Sequence, residues 1–380
     1  MLRLTVPRIA AVLIAAALLT YAFVVAPRTG AQPRTAAGLP GPTGTVAMGA
    51  RPSPSAEPEL FPPAGKAFIG LTTDAGPYDF AATEEFTKAA GRAPQVMLFS
   101  VGWATTRFDR TLFDRIANRG MMPMLGWEPW DYRLDQQARD EGYGPVTIDR
   151  IRSKQPDYRL ARITGGDFDD YVLSWAAGIK SLGYPVAIRF AHEMNGNWYP
   201  WSEMVNGNRA GDYVRAWRHV HDLFVAAGAG NVVWVWSPNA EWDDSTPRLS
   251  TLYPGDSYVD WLGISGYYGT GAFADYRSFD SIFNSTIKQI RTFSDRPLVI
   301  TETAATDASG RKAEWIKQTF QVLPRHPDII GLIWFEADKE LDWRIVSSRS
   351  SARAFAQAVA GSRYDVSWSS TKVPRTQLGN

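Results

Sequence analysis

Short apolar runs recur eight times between residues 67 and 336. Most of them are almost continuously apolar, which is typical of parallel strands that are covered on both faces. Between them, apolar residues recur every three or four positions, the period of an amphipathic helix. The predicted strands are 67–73, 95–103, 121–127, 186–192, 232–237, 259–267, 297–302 and 329–336. The predicted helices are 81–90, 109–119, 168–182, 212–226, 278–293, 311–323 and 349–360.

Strands that alternate with helices indicate a parallel sheet. Eight such units over about 300 residues predict a closed (β/α)8 TIM barrel, whose active site lies at the carboxyl ends of the strands. An open doubly wound sheet is the alternative. It should carry a glycine-rich phosphate turn after the first strand, and residues 71–79 (LTTDAGPYD) contain none.

The first 66 residues differ in character from the rest. Arg3 and Arg8 precede an apolar run over residues 9–26, which predicts within 1–26 either a secretory signal peptide or an uncleaved membrane anchor. Both place the rest of the chain outside the cytoplasm, secreted or tethered, because the arginines stay inside. Residues 27–66 are rich in Pro, Gly and Ala and predict a linker. We expect the catalytic domain at 67–365 and a tail at 366–380.

Composition excludes several classes of function. The chain has no cysteine, so it has no thiolate metal site and no thiol nucleophile. Its 40 basic and 39 acidic residues nearly balance, unlike those of most nucleic-acid binders. His219 and His221 face different sides of a predicted helix and make a poor metal pair. We therefore expect no metal, cofactor, nucleic acid or protein partner.

Two glutamates end apolar runs on opposite sides of the predicted barrel. Glu193 follows the fourth strand in RFAHEMNGNWYPW (189–201), and Glu302 ends the seventh in ITETAA (300–305). Carboxyl groups about 5–5.5 Å apart would act as nucleophile and acid/base in retaining glycoside hydrolysis. Either glutamate could instead be a structural ion-pair residue, for example with Arg189.

The local residues fit the catalytic alternative. An acid/base must be protonated near neutral pH, and neighbouring indoles together with the charge of Glu302 would raise the pKa of Glu193. The nucleophile must stay ionised, which a tyrosine hydroxyl and Arg189 would favour. The chain has 15 tryptophans, and several fall at strand ends, where their rings can stack on sugars or simply fill the core.

The motif at 189–201 resembles glycoside hydrolase family 26, a family of retaining barrels. DYVRAWRHVHDLF (212–224), NVVWVWSPN (231–239), ITET (300–303) and LIWFEADKELDWRI (332–345) extend the resemblance over about residues 67–350. It implies that Glu193 is the acid/base and Glu302 the nucleophile. It also implies that His192 touches the sugar and that Trp198 lines the cleft. By the same resemblance, Tyr267, or alternatively Tyr268, binds the nucleophile, and Trp334 is the stacking platform.

The third strand departs from the mannan-cleaving members, which carry a histidine in that region. GWEPW (126–130) resembles instead members that act on mixed-linkage β-glucan or on bacterial exopolysaccharide. Glu128 is thus expected either to contact substrate or to form an ion pair at the barrel rim. We expect Trp127 and Asn239, also at strand ends, to line the cleft.

These features predict an exported or tethered retaining endo-β-glycanase that needs no cofactor. Its polysaccharide substrate is expected to be β-1,4-mannan or mixed-linkage β-1,3-1,4-glucan. Two alternatives stay open: trimming of a bacterial exopolysaccharide during export, and a carbohydrate-binding barrel without turnover.

Overall fold

The computed structural model describes residues 59–104, 106–240, 247–269, 275–339 and 341–376. Eight parallel strands form a closed barrel in which each strand pairs with its neighbours in chain order, so the predicted (β/α)8 barrel is confirmed. The strands lie close to the predicted positions. They are β1 Phe68–Thr73, β2 Val96–Gly102, β3 Met122–Glu128, β4 Val186–Phe190, β5 Val232–Trp236, β6 Trp261–Ser265, β7 Leu298–Thr303 and β8 Ile329–Glu336.

The helices surround the barrel. All seven predicted helices are present, and four further short helices lie in the connections after β3 and β5. In chain order the helices are α1 Ala81–Ala90, α2 Arg110–Ala117, α3 Tyr132–Asp140, α4 Pro145–Ser153, α5 Leu160–Thr164, α6 Asp169–Leu182, α7 Asp212–Ala226, α8 Leu249–Leu252, α9 Phe279–Ile290, α10 Lys312–Val322 and α11 Arg349–Val359.

In the β3–β4 connection the apolar periodicity predicts α6 but not α3 and α4, because the buried face of these two helices is partly ionic. Asp135 of α3 is 1% exposed. It accepts hydrogen bonds from Arg139 and from Arg152 of α4, each at 2.8 Å. A helix that buries ion pairs lacks the apolar stripe on which hydrophobic periodicity depends.

Both ends of the described chain pack beneath the amino-terminal face of the barrel. Leu60–Phe61 pairs with Val373–Pro374 in a two-stranded parallel sheet. The Phe61 ring stacks on Phe68, the first residue of β1, and Phe68 stacks on Trp261, the first residue of β6. The indole of Trp261 donates to the carbonyl of Arg375 at 2.6 Å. The folded unit therefore extends beyond the boundaries expected at 67 and 365.

The anchor or signal predicted at residues 9–26 lies outside the described residues. Within the ranges that the structure describes, no helix has the length and apolar character needed to cross a bilayer.

Candidate functional site

Glu302 points into the barrel mouth because β7 is irregular at this position. The side chain of Thr301 lies inside the barrel, where its hydroxyl is 2.7 Å from that of Ser237. In a regular strand the next side chain would point to the opposite face. The pairing of β7 shifts register between Ile300 and Thr303, and such a bulge redirects a side chain. Glu302 consequently also faces inward and meets Arg189 and Tyr267.

A fully buried arginine lies beneath Glu302. Arg189 Nη1 donates to Glu302 Oε1. The same guanidinium donates to Ser237 Oγ at 3.0 Å and to Ser265 Oγ at 2.5 Å. A buried guanidinium that is hydrogen-bonded on several sides is held in one orientation and stabilises the charged form of the carboxylate. The hydroxyl of Tyr267 donates to the second oxygen, Glu302 Oε2, at 2.5 Å.

Glu193 occupies a strained turn immediately after β4. Its φ is 54° and that of Ala191 is 44°, both in the left-handed region that non-glycine residues seldom adopt. Each such residue costs about 1–3 kcal/mol, so the surrounding structure must hold it in place. The backbone N–H of Glu193 donates to the Ser237 carbonyl at 2.7 Å. The indole of Trp198 donates to Glu193 Oε2 at 3.0 Å, and Gly196 leaves the space for that ring.

The surroundings of Glu193 favour its protonated form. Burial raises the pKa of Glu193 to about 7, and the charge of Glu302 adds to the effect. Arg189 and the side chains of Asn239 and Ser265 act in the opposite direction. A carboxylic acid with this pKa can both donate and accept a proton near neutrality. Glu193 and Glu302 thus have the contrasting environments that acid/base and nucleophile require.

His192 and an aromatic cluster form the side of the mouth between β3 and β4. Burial, and secondarily Arg189, lowers the pKa of His192 well below its usual value. The imidazole is therefore neutral. Its Nδ1 is buried and bonded to none of the described residues. The neighbouring rings are Tyr199, 5.2 Å from His192, and Trp201, which stacks on Tyr199 at 4.2 Å.

Glu128 is a third buried carboxyl group at this end of the barrel. It is 5% exposed, and its Oε2 accepts from the indole of Trp130 at 2.8 Å. Burial raises the pKa of Glu128 to about 7, against the hydrogen bonds from Ser100 and Trp130 and the charge of Arg189. Among the described residues, no basic side chain forms an ion pair with Glu128. The rim ion pair that was one alternative is not seen.

Asn239 is placed beside Glu193 by its backbone. Its N–H donates to Asn195 Oδ1 at 2.8 Å, and its carbonyl accepts from Asn195 Nδ2 at 2.9 Å. Because Asn195 belongs to the loop that carries Glu193, this reciprocal pair joins the loops after β4 and β5. Asn239 and Glu193 therefore keep a fixed relative position.

The loop after β8 supports Tyr267 from behind. The ring of Trp343 lies 5.3 Å from that of Tyr267. The buried Lys312 of α10 holds this loop, donating to the Arg344 carbonyl at 2.6 Å and to Ser347 Oγ at 2.8 Å. Glu336 accepts from the N–H of the loop residue Ile345 at 2.9 Å. Sequence reasoning missed these contributions, because side chains that act through a loop leave no local pattern.

Trp127 and Trp334, two residues expected to line the cleft, lie elsewhere. Both are fully buried and point outward between strands and helices. Trp127 packs 5.5 Å from Trp175 of α6, and Trp334 packs 5.3 Å from Phe355 of α11. In a strand, alternate side chains face opposite sides, so a tryptophan next to an inward residue belongs to the helix layer. Neither ring is available to stack on a sugar.

The remaining predicted site residues lie together at the carboxyl end of the barrel. They are Arg189, His192, Glu193, Trp198, Asn239, Tyr267 and Glu302, with Glu128 at the adjacent strand end. Tyr268 is separate, because its hydroxyl is bonded to Ser309 at 2.6 Å. In the described part of the chain, no group of three or more His, Asp or Glu side chains is arranged to hold a metal ion.

Known proteins are similar to this chain in sequence or in fold. Residues 151–321 match the family model described as glycosyl hydrolase family 26. The chain is 32% identical over 292 residues to Endoglucanase H of Acetivibrio thermocellus, an alignment that covers 74% of the chain and 29% of that protein. It is 26% identical over 217 residues to a mannan endo-1,4-β-mannosidase of Bacillus subtilis, covering 53% of the chain and 58% of that protein. The chain thus spans less than two thirds of the length of either relative.

A solved structure has the same fold. It is a GH26 β-mannanase from Bacteroides ovatus, which superposes with a TM-score of 0.54 at 20% sequence identity. The superposition covers 79% of this chain and 90% of that structure. At this identity the similarity supports the barrel fold only.

Proposed function

We propose that this chain, as a member of glycosyl hydrolase family 26, is a retaining endo-β-glycanase. The observation that carries the proposal is the contrast between its two inward-facing glutamates. Glu302 is held by the guanidinium of Arg189 and the hydroxyl of Tyr267. Glu193 is buried against an indole and has a pKa raised to about 7. The carboxylate of Glu302 is therefore suited to attack the sugar, and the carboxyl group of Glu193 is suited to transfer a proton.

The reaction takes two displacements. In the first, a Glu302 oxygen attacks the anomeric carbon while Glu193 gives its proton to the departing glycosidic oxygen, leaving a glycosyl ester on Glu302. In the second, the Glu193 carboxylate takes a proton from water, the water oxygen attacks the same carbon, and Glu302 is released. Two inversions restore the original configuration.

Neighbouring residues would bind the sugar. Trp198 lies over Glu193, so its ring is placed beside the leaving group. The neutral His192 can form one hydrogen bond with a sugar hydroxyl through Nε2, since its Nδ1 is buried. Asn239 supplies a side-chain amide that is hydrogen-bonded to Glu193. Glu128, with a pKa raised to about 7, can be protonated and donate to a hydroxyl at the β3 end.

The substrate class follows from the relatives, whose names cover an endoglucanase and a mannan endo-1,4-β-mannosidase. We propose β-1,4-mannan or mixed-linkage β-glucan as the polymer cut. We also propose that residues 1–26 direct the enzyme out of the cytoplasm, either cleaved or retained as a tether, because Arg3 and Arg8 precede an apolar run. Fractionation of cells that express the tagged full chain tests the location, and recovery in the cytoplasm would contradict it.

The activity is tested by measuring reducing ends released from glucomannan, galactomannan, lichenan and carboxymethylcellulose. We expect hydrolysis of at least one polymer and loss of hydrolysis in Glu193→Ala and in Glu302→Ala. Glu314→Ala is the matched control, because Glu314 is an exposed glutamate paired with Arg311 on α10. NMR of the first product should show the β-anomer. Release of the α-anomer would rule out retention, and binding without release of reducing ends would favour a carbohydrate-binding barrel.

A further inference from the structure

A basic cavity lies beside the site, between the loops that follow β3 and β4. Its volume is about 300 Å³. It is formed by the end of α4, the segment that follows it and the loop after the catalytic motif. Its lining residues are Arg150, Ser153, Lys154, Arg159, Val205, Asn206 and Gly207.

Positive charge is concentrated at the cavity. Three of its lining side chains are cationic, and none of the described residues that line it carries a carboxylate. The nearest acidic residues in sequence are engaged by other arginines. Asp149 pairs with Arg152 at 3.2 Å, and Asp157 pairs with Arg162 at 2.7 Å. Within the described residues, Arg150, Lys154 and Arg159 therefore lack an ion-pair partner.

Asn206 fixes the loop that forms one side of the cavity. It is 8% exposed and has a φ of 57°, so it is held in an uncommon conformation. Its Nδ2 donates to the carbonyls of Gln155 at 2.8 Å and Pro200 at 3.2 Å. Its Oδ1 is buried and accepts no hydrogen bond from a described residue. Arg159 Nε also donates to the Asn206 carbonyl at 2.9 Å, so the loop after the catalytic motif and the segment after α4 are joined across the cavity.

The same contacts connect the cavity to the catalytic segment. Pro200, which Asn206 holds, precedes Trp201, whose indole donates to the His192 carbonyl at 2.7 Å. Gln155 in turn bonds the backbone of Asp131, just beyond the β3 end, at 2.8 Å through its Oε1. The cavity is thus attached to the loops that carry Glu193 and Glu128.

We propose that this cavity is a subsite for a uronic-acid unit of the polysaccharide, an inference that rests on the proposed glycanase function. A uronate presents its carboxylate to the three cations while the rest of its chain lies along the loops that carry Glu193 and Glu128, whereas inorganic phosphate satisfies the cations alone. The volume is at the small end of ligand pockets, as expected for one sugar unit. The polymer that is cut is then a β-mannan or β-glucan chain in which some sugar units carry a carboxylate.

The test compares a charged and a neutral sugar of the same shape. Cellotriose and cellotriose oxidised to the carboxylate at C6 are titrated calorimetrically into the full chain carrying Glu302→Ala, which prevents turnover. Charge-assisted hydrogen bonds are worth about 1.5–3 kcal/mol, so we expect the oxidised sugar to bind at least about tenfold more tightly. Adding Arg150→Gln and Lys154→Gln should remove this preference without weakening binding of cellotriose.

Lys317→Gln with Arg353→Gln is the matched control, because both residues are exposed on helices α10 and α11 and do not line the cavity. This pair should retain the preference. Equal binding of the two sugars, or a preference that survives the Arg150 and Lys154 changes, would overturn the inference. Phosphate binding as tightly as the oxidised sugar would reduce the cavity to an anion site and also overturn it. Hydrolysis of neutral polymers by the unmodified chain is measured separately, so failure of the subsite is distinguishable from failure of the glycanase function.

Discussion

Removal of a single hydroxyl group tests how the nucleophile is held. Tyr267→Phe keeps the ring that packs against Trp343 and Phe335 but deletes the donor 2.5 Å from Glu302 Oε2. A hydrogen bond to a charged group contributes about 1.5–3 kcal/mol. If the change destabilises the transition state by this free energy, the rate falls roughly 10- to 150-fold, since each 1.36 kcal/mol is a factor of ten. Arg189 still binds the other oxygen, so activity should fall without disappearing.

The adjacent tyrosine provides the control for this change. Tyr268→Phe removes a hydroxyl from a similarly placed ring, but that hydroxyl bonds Ser309 and not Glu302. We expect kcat/KM on the best polymer to fall in Tyr267→Phe and to stay at the unmodified value in Tyr268→Phe. Circular dichroism should show both variants folded. Equal losses in the two variants, or full activity in Tyr267→Phe, would refute the role given to Tyr267.

Three further predictions concern protons and packing. The rate of polymer hydrolysis should fall as pH rises through about 7, because Glu193 must be protonated for the first step. This fall should be absent with a dinitrophenyl glycoside as substrate, because its leaving group needs no proton. Burial raises the pKa of Glu336 from 4.5 to about 8, so the folded state binds this proton more tightly than the unfolded state does. The free energy of unfolding therefore decreases as pH rises from 4.5 to about 8. In urea unfolding, Glu336→Gln should reduce that loss by at least about 1.4 kcal/mol, the equivalent of one pKa unit; an unchanged pH dependence would contradict this. Trp334→Phe should lower the free energy of unfolding by about 1–3 kcal/mol and leave KM unchanged. A raised KM would show that Trp334 contacts the substrate.

The barrel could be predicted from sequence because its strands are buried on both faces and give continuous apolar runs. The same property hides which way each side chain points. Trp334 and Glu336 lie on one face of β8 and meet the helix layer, while Phe335 between them meets Tyr267 inside. A run without alternation gives no sign of this difference. The role expected for Trp334 therefore failed although its strand was placed correctly.

Glu193 and Glu302 could be identified because each is a carboxylate at the end of an apolar run. Their orientation depends on features that composition does not reveal. A register shift turns Glu302 inward, and positive φ values position Glu193. Lys312 lies more than a hundred residues from Glu193 and contributes through backbone carbonyls of another loop. Such contacts exist only after the chain has folded.

The pairing of Leu60–Phe61 with Val373–Pro374 determines on which side of the barrel the protein can be attached to another molecule or surface. Residues 59 and 376 both emerge under the amino-terminal end of the barrel, on the side opposite Glu193 and Glu302. A tether that joins at residue 59 therefore holds the molecule by its base. If residues 9–26 reside in a bilayer, the attachment point at residue 59 lies on the side of the barrel opposite the cleft and leaves the mouth clear. By the same geometry, a fusion partner or a solid support can be joined at either end without obstructing the path of a polysaccharide chain.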